Sequence, residues 1–172
     1  MLQNNSTEEY SIKKQFPFIE FCLWSTKWLN EFMLHQPVRF YTIVEVEKEV
    51  MEAVFYSLSE DNKNVFLDPS EEIVTKYVGN AKGPIIITGL TTEAPIQNIE
   101  KVHTPKLEKI LVDIFCDPIL FAAQQGAEMR NIYRTAFEKY TINQAKMLRY
   151  ATRRNKREEI EKFIINILKK QQ

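Results

Sequence analysis

Six cations fall within twelve residues near the end of this chain: Lys146, Arg149, Arg153, Arg154, Lys156 and Arg157. Arginine carries a permanent charge on a planar fork of donors that matches a phosphate, so such a cluster suits a nucleic-acid backbone, DNA or RNA. Tyr150 stands among them and offers a ring on which a base can stack. A plainer reading competes. Lysine and arginine are favoured near helix C-termini by the helix dipole, and Glu158, Glu159 and Glu161 can pair with these cations internally. At the level of sequence both readings stand.

A second group, Glu45, Glu47, Lys48 and Glu49, lies where a strand is expected to run into a helix. Ligands bind beyond the carboxyl ends of parallel strands, and two carboxylates with a lysine there suggest a metal-dependent nuclease. The spacing fits poorly: two positions after Glu45 comes Glu47, where the usual arrangement has lysine. Acids also gather in first helical turns for electrostatic reasons alone. His35 and His103 have no acid or thiol at ligand spacing. Glu108, Lys109 and Asp113 are expected on the polar side of an otherwise apolar helix, with Lys109 and Asp113 paired one turn apart. Trp24 and Trp28 read as core. No dinucleotide, phosphate-loop, nucleophile-elbow, zinc-protease or EF-hand pattern is present. No catalytic residue, metal ligand or cofactor is therefore assigned.

The elements that would position these groups alternate. Phe18–Trp24, Phe40–Val46, Val65–Leu67 and Pro84–Thr88 read as strands, short and rich in β-branched and aromatic residues. Helices are expected from Thr26, capped by Ser25, over 47–59, and after Asp68-Pro69-Ser70-Glu71, with Asp68 as cap. Segment 96–102 reads as a fifth, edge strand. From Pro105 onward the pattern is helical. Leu107, Ile110, Leu111, Ile114 and Phe115 form one stripe, and helices follow over about 118–125, 127–139, from Thr141 to Arg153, and 157–169. The expected fold is α/β: a sheet of four to five mostly parallel strands with flanking helices, then a C-terminal all-helical segment. Residues 1–15, polar and without periodicity, read as a frayed start. Residues 16–172 read as one domain, with 16–103 the sheet part and 104–172 the helical part.

Composition is that of a globular protein, 44% hydrophobic and 27% charged, which excludes disordered and fibrous classes. Cys22 and Cys116 are isolated and read as reduced, no leader opens the chain, and no apolar run spans a membrane. A reducing cytoplasm and no membrane partner are the expectation. The zero net charge hides a split: residues 1–142 carry a net of −6 and residues 143–172 a net of +6. Such a split suits an anionic partner for the tail, or docking of the tail on the chain's own acids.

Thr104-Pro-Lys-Leu-Glu-Lys-Ile-Leu-Val-Asp113-Ile-Phe-Cys-Asp117 and the run from Phe137 to Arg154 resemble the C-terminal domain of AbiEi-type antitoxins. The likeness extends over about residues 16–165 and includes Val44-Glu-Val-Glu-Lys-Glu49. The resemblance implies a non-catalytic regulator from a bacterial type IV toxin–antitoxin pair active in abortive phage infection. Its functional partner would be a nucleotidyltransferase toxin, countered without a stable complex. The family also carries an N-terminal winged helix-turn-helix that binds operator DNA. Residues 1–15 are too few for one, so this chain departs from the pattern there.

Overall fold

A computed structural model describes residues 6–99 and 102–169 of the protein. The chain divides into two compact units. The first takes in the chain up to Trp28, Val38–Leu90 and Ile96–Thr104; the second takes in Leu29–Pro37, Thr91–Pro95 and the chain from Pro105.

The first unit is built on a four-stranded sheet of β1 (Phe21–Ser25), β2 (Thr42–Val46), β3 (Val65–Leu67) and β4 (Ile85–Gly89), in the order β1-β2-β4-β3. β2 pairs parallel with β4, as β4 does with β3; β1 pairs antiparallel with β2. The expected architecture, a mostly parallel sheet with flanking helices and a helical C-terminal part, is what the chain adopts. The two central strands are nearly unbroken β-branched runs, as strands buried on both faces require. Phe21, Leu23, Val44, Val46, Ile85 and Ile87 share one face. Helices α1 (Ser6–Gln15) and α2 (Met51–Asp61) cover that face with Ile12, Val54 and Leu58. Cys22, Trp24, Ile43, Glu45 and Ile86 are buried on the other face.

Several elements differ from expectation. The frayed start is wrong over residues 6–15, which form α1; residues 1–5 lie outside the described residues. Only Ile12 of that helix joins the core, and Gln15 accepts a 2.6 Å hydrogen bond from the Ser57 hydroxyl. A helix anchored by one apolar residue leaves no periodic trace. β1 begins three residues late, with Phe18 97% exposed. Thr26–Phe32 is a 3-10 helix, not an α-helix. Helix α3 (Glu71–Lys76) is capped by Ser70, not Asp68, which adopts φ 39°. Segment 96–102 does not extend the main sheet: β5 (Ile96–Ile99) and β6 (Val102–Pro105) form a separate two-stranded sheet.

The second unit is made of α4 (Leu107–Cys116), α5 (Ala127–Lys139), α6 (Gln144–Arg153) and α7 (Arg157–Lys169). The helix expected over 118–125 is a turn held by Asp117, whose Oδ1 accepts from the amides of Ile119 and Leu120, followed by a 3-10 turn at Ala122–Gln124. α4 packs against α5 and α6, and α7 packs against the same two. Phe163 of α7 meets Phe115 and Tyr133 edge-on at 5.4 and 5.0 Å. No described helix is long and apolar enough to cross a membrane.

Candidate nucleic-acid interface

The cationic helix α6 is set in place by α4. Its amide start is held by Glu108, whose Oε1 accepts from the Asn143 amide at 2.9 Å. Asn143 then caps the helix, its Oδ1 accepting from the Lys146 amide at 3.0 Å, two residues after the expected start at Thr141. The far end is held by Asp113. Its carboxylate accepts from Lys109 Nζ at 2.5 Å, from the Tyr150 hydroxyl at 2.8 Å and from the Arg154 guanidinium. Glu108, Lys109 and Asp113 are all buried, Lys109 completely. The expected polar side of α4 is therefore a buried clamp on both ends of α6. A buried polar group needs partners, and here the two helices supply them to each other.

The end of α6 has a defined shape. Asn155 adopts φ 55°, its amide donates to Thr152 O, and the Lys156 amide donates to Ala151 O. These two bonds and the left-handed residue make a Schellman motif, which stops α6 and redirects the chain into α7. Met147, Tyr150 and Ala151 pack inward, so Lys146, Arg149 and Arg153, spaced by three and four, point outward together.

Of the six cations read from sequence, three share that face, and Arg154, Lys156 and Arg157 lie beyond the end of α6. Arg154 folds back onto Asp113 and keeps only 24% of its side-chain exposure. Burial opposes its charge, but Asp113 and Tyr150 outweigh this and raise its pKa. Lys156 pairs with Glu159 at 3.0 Å. Tyr150 is 1% exposed with its hydroxyl on Asp113, so it offers no face for a base. Arg153 is exposed and takes Glu93 on its Nε at 2.5 Å. Lys146, Arg149 and Arg157 are exposed and form no ion pair among the described residues. Arg157 opens α7 beside a shallow groove of about 510 Å³ lined also by Thr152, Asn155, Glu158, Glu159 and Lys162.

The other candidate groups do not converge. Glu45 is buried within β2, whereas Glu47 lies past the strand end, exposed, accepting from the Glu20 amide at 3.3 Å. No cluster of three or more His, Cys, Asp or Glu able to hold a metal occurs among the described residues. His35 binds Glu128 through Nδ1 at 2.6 Å, and the amides of Leu34 and His35 donate to the same carboxylate. Burial pushes the Glu128 carboxyl up, but these bonds prevail and hold it below its ordinary value. His103 sits edge-on to Phe21 at 5.1 Å. Cys22 and Cys116 are free thiols, and burial pushes Cys116 up to about 11.

Neither the role of Asp113 nor the reach of Glu93 is visible in the sequence. An i, i+4 pair looks the same on a wet or a dry helix face. Glu93 is a single acid in a loop with no pattern around it.

No curated protein matches the chain. A family model described as "Family of unknown function (DUF6577)" matches residues 4–170, nearly the whole length, and the chain belongs to that family.

Proposed function

We propose that this chain is a non-catalytic, antitoxin-like regulatory domain that acts by binding nucleic-acid phosphates. The observation that carries the phosphate binding is the outward face of α6, where Lys146, Arg149 and Arg153 share one side of a helix anchored at both ends. A rigid helix presents cations at fixed spacing, so less side-chain and backbone order is lost when phosphates bind. The antitoxin role is supported by the resemblance of Thr104–Asp117 and Phe137–Arg154 to AbiEi-type antitoxins. The two parts fit together: an antitoxin that does not grip its toxin can act on the toxin's nucleic-acid target or on its operon.

The first test is a titration of labelled single-stranded RNA and duplex DNA at two salt concentrations. The variant Lys146→Ala/Arg149→Ala/Arg157→Ala is expected to bind more weakly, with the salt slope reduced by about one for each phosphate that is no longer neutralised. Equal affinity and slope in variant and wild type would remove the interface. The antitoxin role is tested by co-expression with a nucleotidyltransferase toxin encoded beside this chain. Growth that the chain does not restore would remove that role.

A further inference from the structure

Glu93 belongs to no helix or strand, yet its side chain reaches the cationic face. The Thr92-Glu93 turn holds Glu93 at φ 61°, a left-handed backbone that residues with a Cβ seldom adopt. From there its Oε2 accepts from Arg153 Nε at 2.5 Å, sixty residues away along the chain. Arg149, one turn before Arg153, acts on the same carboxylate through its charge. A carboxylate bound by one arginine and attracted by a second, on an exposed helix, stands where a phosphate oxygen would stand. Arg153 pulls the Glu93 carboxyl below its ordinary value, so it is ionised at neutral pH.

Resting on the proposed nucleic-acid binding, we infer that the Arg149–Arg153 pair is a seat for a backbone phosphate and that Glu93 occupies it as a built-in competitor. Nucleic acid must displace the Glu93 carboxylate to use Arg153. The turn carrying Glu93 lies between β4 and β5. Because the pair is exposed, displacement is cheap: such ion pairs contribute little stability.

The experiment measures binding of a fluorescein-labelled oligouridylate about 20 nucleotides long, and of a duplex DNA of equal length, by anisotropy at two salt concentrations. Glu93→Gln is expected to bind at least one of them about 3- to 10-fold more tightly at low salt and with a steeper salt slope. The same substitution in an Arg153→Ala background should bring no gain. Glu72→Gln is the control for net charge, since Glu72 pairs locally with Lys76 on α3; it should bind as wild type. Thermal melting checks that the variants fold alike. If Glu93→Gln binds as wild type while Arg149→Ala weakens binding, the competitor is overturned and the nucleic-acid interface stands. If Glu72→Gln gains as much as Glu93→Gln, the effect is bulk charge and the seat is overturned. If neither wild type nor Glu93→Gln binds with a salt slope, both the seat and the nucleic-acid reading fall.

Discussion

Asp113 holds an ammonium, a guanidinium and a phenol at once, and all but Arg154 are fully shielded from solvent. Removing one partner of a buried ion pair leaves the other charge uncompensated in a poorly polarisable surround. Asp113→Ala is expected to destabilise the protein by about 3–5 kcal/mol, read from the urea midpoint at unchanged m-value. Adding Lys109→Met should restore part of that loss, because the stranded ammonium is gone. Glu128 gives a pH signature. A carboxyl held below its ordinary value of 4.5 stabilises the fold fully above that pH. That stability is lost as pH falls through the lower folded value. The Glu128→Gln variant should therefore lose less stability than wild type between neutral pH and the acid side of 4.5, measured by denaturant melts across pH.

Helix α1 depends on a single core residue, and the stop of α6 on a single left-handed one. Ile12→Ala is expected to destabilise by about 2–5 kcal/mol, with the loss measured by chemical denaturation. At the Schellman turn, Asn155→Gly should be neutral within a few tenths of a kcal/mol, while Asn155→Val should cost about 1–2 kcal/mol in thermal or urea melts. These two helices mark what the sequence does and does not disclose. α5 and the start of α7 are legible to the residue, because apolar side chains recur along each at helical spacing and Lys139 stands in the last turn of α5. The break at Asn155 is legible too, since asparagine tolerates the left-handed region. α1 is not, because its order comes from α2 and the sheet and not from its own periodicity. The antiparallel entry of β1 is also hidden, since a helical connection suggests a parallel crossover and a 3-10 helix does not enforce one. On the candidate interface, spacing suggests Arg149, Arg153, Lys156 and Arg157 along one side of the last two helices, whereas the fold groups Lys146, Arg149 and Arg153 and pairs Lys156 with Glu159. Only the burial of Asp113 explains why Arg154 turns away from them.

Across the whole chain, a formal net charge of zero conceals segments of opposite sign. Adsorption follows local potential more than net charge. At a pH near its pI of about 6.8 the protein should still be retained on a cation exchanger, and Lys146→Ala/Arg149→Ala/Arg157→Ala should elute at lower salt. The fully enclosed ammonium of Lys109 has a different consequence. An acylating label such as an N-hydroxysuccinimide ester modifies an amine only where the reagent can touch it. Lys109 should stay unlabelled while exposed Lys146 and Lys162 saturate, so its first appearance in a mass-spectrometric footprint times the opening of the helical unit.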